Sequence, residues 1–390
     1  MRTDIVSGID EIEAGEWDAL ADGSFYSSAA WMRYQEAADG VTTRYVLVRD
    51  EHGRLAAAAP VYVVISEGSS MYAPGRLFPE LQDRPGAAGR TVLVGNRRGY
   101  ANRLLVGGPP EHRGRAVKQL VDAVNLIAAE EADGRAWWLY LGDGDTEALL
   151  AHAPHPVPRL VAADCAITLP GTGFDDYLRG GSGNMRRQIR KDREAFAGAG
   201  YTVSRTSLSE SWPEISPLIA SHQAHHGEPS QTALISRLMR AQAEATGEAG
   251  TVHACHREGR MVGCTLTYST PYEVSSRAYG FDHRLPATAA EYFELLYYRP
   301  MEAAYRTGAR RLHLGIGTLL PKIRRGAEVS LLWAVTTGHA HADETVRLAR
   351  AHNSARWHSM AGEMGSAAAR VVSPLLERPM GTPILQGKHG

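Results

Sequence analysis

The densest charge in the chain lies between Arg186 and Arg193, where five cations (Arg186, Arg187, Arg190, Lys191 and Arg193) face one acid, Asp192. On a helix, Arg186 and Arg190 share one face and Arg187 and Lys191 another, while Ile189 and Phe196 point to a core. Only Arg190 has an acid four residues on, Glu194, so a nearby anion would relieve the repulsion among these charges. A nucleotide, a phosphorylated carrier or an RNA backbone meets that need. A plain solvated helix face is the alternative.

A second chemical group lies near the C-terminus. Glu294 stands four residues before Tyr298 on an apolar, aromatic helix face, where a carboxylate needs a partner. It suits a general base for an attacking amine, or a structural ion pair with Arg299 or Arg325. Tyr297 and Tyr298 offer phenols for a leaving group, or core packing. Gly315 and Gly317 near a strand end permit close approach of a ligand or backbone. Lys322 and Arg325, on the loop beyond, are expected as cations at a cleft mouth that hold a carboxylate or phosphate, or as ordinary loop charge. Asp282 and His226 complete the expected substrate-binding set.

Other arrangements argue against particular chemistries. His222 and His226 share a helical face as in HExxH, but the Glu of that motif is missing. Glu228 could join them only after a turn at Gly227-Glu228-Pro229, so no metal is expected, and a substrate lid is the better use of this stretch. Cys165, Cys255 and Cys264 are widely spaced, form no CxxC pair, and read as small buried residues of a reducing cytoplasm. No Ser-His-Asp or Cys-His pairing is evident, which favours direct attack by an amine over a covalent enzyme intermediate.

These residues must be positioned by elements whose order occurs twice. Arg44 to Val64 alternates as a hairpin around His52-Gly53. A second hairpin runs from Thr251 through Gly259 to Ser269, followed by the strand Tyr272 to Phe281. Downstream of each lie a helix and a strand: Arg115 to Ala132 then AWWLYLG, and Ala289 to Thr307 then RLHLGIG. Gly134 and Gly308 end the helices, and Pro300 should kink or split the second. The repetition implies a duplication with its boundary near Pro158 to Pro170, hence domains 1–163 and 164–390. The expected class is α/β (α+β), each domain a mixed, mainly antiparallel sheet flanked by helices.

Size and charge agree. A chain of 390 residues exceeds one ordinary core. A net charge of −1 rules out a chain-wide electrostatic grip on nucleic acid, leaving only a local patch. No run approaches the roughly 18 to 20 apolar residues of a membrane span, and the acidic N-terminus carries no signal-peptide core, so a cytoplasmic protein without membrane insertion is expected.

Two stretches carry a resemblance. FDDYLRGGSGNMRRQIRKDREAFAGAGYTV resembles the entry to the second half of Fem-type transferases of the GNAT fold, through Arg186, Ile189, Arg190, Lys191, Gly200, Tyr201 and Val203. The stretch from Tyr292 to Val335 is similar to a peptidoglycan-biosynthesis-like N-acyltransferase family, through Phe293, Glu294, Tyr297, Tyr298, Glu302, Ala303, Gly308, Gly315, Gly317, Lys322, Arg325 and Gly326. With FYSSAAWMRY they cover about a third of the chain. The resemblance implies two tandem GNAT-like domains, the second carrying the transfer site. It also implies an aminoacyl-tRNA donor, with Arg186, Arg187, Arg190 and Lys191 toward its phosphates. The acceptor would be a small-molecule or cell-wall-precursor amine, with no further cofactor.

GNAT enzymes that use acyl-CoA carry a (Gln/Arg)-x-x-Gly-x-(Gly/Ala) loop at a helix N-terminus. The second half shows no such glycines at Phe281 to Phe293. The first half has Gly114 and Ala116, but Glu111 where Gln or Arg belongs. Acyl-CoA as donor, and a non-catalytic RNA- or phosphate-binding protein on this fold, are the rival expectations.

Overall fold

The computed structural model describes residues 1–39, 41–81, 89–152, 158–228, 231–286, 288–338 and 343–377. The chain forms two compact units, one of Met1–Asp22, Tyr26–Asp164 and Ser330–Gly390, the other of Gly23–Phe25 and Cys165–Val329. The residues from Ser330 onward, which the sequence reading assigned to the second domain, thus belong to the first unit. The strand Glu328–Gly338 explains this. It pairs antiparallel with Arg135–Leu141 from Trp333↔Leu141 to Gly338↔Arg135, and the Trp333 indole donates to Asp143 at 2.6 Å.

In the first unit, Arg2–Val6, Thr42–Arg49, Leu55–Val64 and Thr91–Val94 follow one another as antiparallel neighbours. Thr91–Val94 then runs parallel to Arg135–Leu141, the two joined through the helix Pro110–Glu131. That helix buries Val117, Leu120, Val121, Val124 and Ile127 on the hairpin's valines and alanines, the three-to-four spacing read from the sequence. Gly134 follows it with φ +80°.

The second unit repeats this order. Thr202–Ser207, Gly250–Arg257, Arg260–Ser269 and Glu273–Phe281 are successive antiparallel neighbours. Glu273–Phe281 is parallel to Arg311–Ile316. Both units also insert two helices between their first and second strands: Ala14–Ala21 and Ala29–Asp39 in one, Leu208–His225 and Thr232–Thr246 in the other. The fold class is the expected one, mixed α/β with mainly antiparallel sheets flanked by helices.

The helix before Gly308 is split in a way that the sequence only hinted at. Glu291–Phe293 begins it, a π turn over Glu294–Tyr298 interrupts it, and Arg299–Thr307 completes it. Pro300 has no N–H for the carbonyl four residues earlier. That carbonyl, Leu296 O, instead accepts from the Ser276 hydroxyl at 3.0 Å. Gly308 closes the helix at φ +81°.

Candidate active site

A cleft of 670 Å³ opens in the second unit between the helix Phe174–Gly180, the helix Gly183–Gly198 and the π turn. Arg179, Arg186, Arg190, Arg193 and Arg299 line it together with Phe174, Phe196, Tyr201 and Glu294. The basic helix starts where Ser182 caps it, its hydroxyl accepting from Met185 N at 3.2 Å, and it buries Met185, Ile189, Asp192 and Phe196. This stripe turns Arg186 and Arg190 into the cleft. Arg187 and Lys191 are exposed and do not line it.

Glu294 is the one carboxylate of the cleft that is fully withdrawn from solvent, at 1% exposure. Its Oε1 lies 2.8 Å from Arg299 Nε and 3.6 Å from Arg193 Nη2. Arg193 also meets Glu302 at 2.7 Å and stands over the Phe174 ring. Glu294 Oε2 is buried with no hydrogen-bond partner among the described residues. Burial pushes this carboxyl above the ordinary glutamate value, against the pull of the two guanidiniums. The π turn packs Glu294, Leu295, Leu296, Tyr297 and Tyr298 all inward, and such turns recur at functional sites.

Tyr298 and Arg325 meet each other and Asp192. The Tyr298 hydroxyl donates to Asp192 Oδ2 at 2.6 Å and accepts from Arg325 Nε at 2.9 Å. Arg325 Nη2 reaches the same carboxylate at 2.6 Å, and Gln188 donates to its other oxygen at 2.7 Å. The Arg325 guanidinium lies on the Phe293 ring, and its carbonyl accepts from Tyr177 at 2.7 Å. Burial drives the Tyr298 phenol upward, so it keeps its proton. Asp192 is the residue that the sequence reading missed, taken there only as the lone acid of the basic run. Its place in the stripe Met185, Ile189, Asp192, Phe196 was the available signal, since a charge on a buried helix face needs a partner.

Lys322 belongs to the short helix Leu319–Ile323 and is 3% exposed. It is therefore not a surface charge on a loop. Its ammonium donates to Gly315 O at 2.7 Å and Ile316 O at 3.0 Å. Gly315 and Gly317 have φ of +66° and +74°, a backbone that side chains resist. These turns present the two carbonyls to the lysine.

Asp282 and His226 form a separate group. Asp282 accepts from Arg284 Nε and Arg260 Nη2, each at 2.8 Å. Hydrogen bonding to Arg284, ahead of the opposing effect of burial, holds its carboxyl down at about 2. His226 contacts His222, His225 and His283. Pro229, part of the expected turn, lies outside the described residues. All three cysteines are buried, and burial pushes the Cys255 thiol up to about 12, which keeps it unreactive.

The acyl-CoA pattern of the first half sits inside a helix. Glu111, Gly114 and Ala116 all fall within Pro110–Glu131, so they form no glycine loop ahead of a helix N-terminus. A Cβ at Gly114 would stand 3.1 Å from the His152 ring. Among the described residues, no helix is long and apolar enough to cross a membrane.

No curated protein matches the chain in sequence. Among solved structures, FemX aligns with a TM-score of 0.61 at 11% identity, over 87% of this chain and 98% of that one. The C-terminal domain of a putative lysylphosphatidylglycerol synthetase from Agrobacterium fabrum aligns with a TM-score of 0.52 at 13% identity, over 88% and 96%. L-PGS from Bacillus licheniformis aligns with a TM-score of 0.50 at 10% identity, over 87% and 97%. At these identities the likeness is one of fold. The sequence itself matches the FemAB-like family, described as peptidoglycan biosynthesis/recognition, over residues 102–366. That span takes in the basic helix, the π turn and the Lys322 helix, and the chain belongs to the FemAB-like family.

Proposed function

We propose that the chain is an N-acyltransferase that joins an acceptor amine to an activated acyl group, with an aminoacyl-tRNA as donor and the arginine-lined cleft of the second unit as its site. The observation that carries this reading is the buried Glu294 carboxylate, one oxygen unpartnered, on the wall of a cleft with five arginines. Family membership and the FemX fold support transfer of an acyl or aminoacyl group; the choice of donor rests on the basic helix.

In this reading the amine nitrogen attacks the ester carbonyl carbon, the carbon–oxygen bond to the donor breaks, and the freed hydroxyl leaves with a proton. Glu294 takes the proton that the amine loses and passes it on to the leaving oxygen, a role its raised affinity for protons suits near neutral pH. Arg186 and Arg190 hold donor phosphates in charge-assisted contacts, and Arg193 and Arg299 orient the base. Tyr298, Arg325 and Lys322, bound to their own chain, act as positioning residues that hold the π turn and the adjoining strand. Most of the acceleration would come from placing amine and ester together. The acceptor is a small-molecule or cell-wall-precursor amine, and no cofactor beyond the co-substrate is required.

The test is a comparison of donors. Purified protein is offered a pool of charged tRNAs or a pool of acyl-CoAs with candidate amines, and new amides are sought by mass spectrometry. Transfer from charged tRNA alone is expected. Transfer from acyl-CoA alone would replace the donor assignment. Binding of RNA without turnover from either pool would return the chain to a phosphate-binding role on a transferase fold.

A further inference from the structure

Four imidazoles meet in the second unit at a place the proposed transfer reaction does not use. His222, His225 and His226 lie at the C-terminal end of the helix Leu208–His225, and His283 follows the strand Glu273–Phe281. That end of the helix rests directly on the strand. A Cβ at Gly280 would stand 2.7 Å from Ile219 N and 2.8 Å from Leu218 C, so only glycine lets the helix come this close. Pro217, inside the helix, has no N–H for the carbonyl four residues earlier, so the turns from Leu218 onward are joined to the rest by one bond fewer. Past Gly280 the helix end is held by imidazoles. His222 Nδ1 and His283 Nε2 face each other at 2.9 Å, and the His283 backbone N–H donates to the Ser221 hydroxyl at 3.3 Å. The rings of His225 and His283 stack, with centroids 3.9 Å apart and 3° between their planes. The His226 ring lies 4.6 Å from that of His222.

We infer that this cluster is an acid-operated latch, which holds the last turns of the helix to the His283 loop while the rings are neutral and releases them when the rings take up protons. Two imidazole nitrogens at 2.9 Å share a hydrogen bond only while one of them is bare. The His222–His283 bond therefore survives one proton and not two. Charging both His225 and His283 would also set two like charges 3.9 Å apart. The rings of Tyr279 and Phe281 that meet His222 and His283 bring no negative charge, since burial keeps the Tyr279 phenol protonated. The adjacent carboxylate, Asp282, is engaged by Arg260 and Arg284. Burial, and then the neighbouring imidazoles, push His222 down to about 4. Burial, His225 and His226 lower His283 as well, against the pull of Asp282. A histidine whose proton affinity falls on folding contributes stability that is complete above its unfolded value of about 6.5 and is lost as pH drops toward its folded value. The latch is thus closed at neutral pH and opens as pH falls from about 6.5 toward about 4.

Amide hydrogen exchange of the full-length protein at about pH 7.5 and about pH 4.8, expressed as protection factors so that the intrinsic pH dependence cancels, tests this. Protection of residues 219–226 is expected to fall by about 10-fold or more at the lower pH, while the helix Pro110–Glu131 keeps its protection. H283Q and H222Q each retain a neutral hydrogen-bonding side chain and remove one titrating ring, so each should cut that fall to about 3-fold or less, with circular dichroism confirming that the variants are folded. Undiminished protection of residues 219–226 in the wild type at the lower pH overturns the latch. So does a fall of equal size in the wild type and both variants, or one shared by the helix Pro110–Glu131, which would be general acid unfolding. The readout is independent of any transfer activity.

Discussion

The two units repeat one strand order, yet different kinds of group meet the ends of their parallel strands. In the first unit, pairing of Thr91–Val94 with Arg135–Leu141 ends at Val94↔Trp138. Beyond it, the Asn102 amide spans the gap, donating to Val94 O at 3.3 Å and Leu139 O at 3.1 Å. Its oxygen accepts from Asn96 N at 3.2 Å and Arg103 N at 2.9 Å. The cavity beside it is about 10 Å³, room for about one water. In the second unit, pairing of Glu273–Phe281 with Arg311–Ile316 ends at Ser275↔His313, the carbonyls of Gly315 and Ile316 are held by a lysine ammonium, and a 670 Å³ cleft lies in the same unit. A neutral side chain with every bond satisfied bridges the parallel strands of the first unit, whereas in the second a lysine holds the end of one strand and arginines line a cleft elsewhere in the unit.

This contrast can be broken by mutation. The largest effect is expected from Glu294→Gln, which should lower turnover by about 100- to 10,000-fold while leaving the thermal midpoint unchanged or higher. Because burial raises the Glu294 proton affinity, wild-type turnover should fall as pH drops through a value above the ordinary carboxylate range of about 4.3. That acidic limb should vanish from the residual activity of Glu294→Gln. Full turnover in this variant would remove the transfer site from the cleft.

Asp192→Ala should come next, through stability. It leaves the Arg325 guanidinium, 4% exposed, without its carboxylate. Breaking such a buried pair costs about 3–5 kcal/mol, which urea denaturation will read. Asn102→Ala in the first unit strands the Val94 and Leu139 carbonyls and should cost about 2 kcal/mol, with turnover per folded molecule unchanged. A matching loss of turnover would mean that the first unit takes part in the chemistry. The smallest effect is expected from the double reversal Arg187→Glu and Lys191→Glu, a several-fold weaker grip on charged tRNA, larger at low salt. Unchanged affinity would make these two residues ordinary solvated charges.

What the sequence determined by itself was local. Turn glycines, alternating strands and three-to-four helix spacing depend on near neighbours, so both hairpins, the helix ending at Gly308 and the repeated order of elements were legible. The Arg186 and Arg190 face was legible for the same reason, as was the burial of the cysteines, whereas the partner of Glu294 stayed open between Arg299 and Arg325 until the structure placed Arg299 beside it. Tertiary structure decided whatever joins distant segments. It placed Asp192 against Tyr298 and Arg325, drew Lys322 under the carbonyls of Gly315 and Ile316, and brought His283 to the His222 helix end. It also assigned the residues after Ser330 to the first unit through a strand pairing. A charged side chain looks alike in a sequence whether it meets water or a partner a hundred residues away. Only the packed chain, where desolvation makes an unpaired charge costly, tells the two apart.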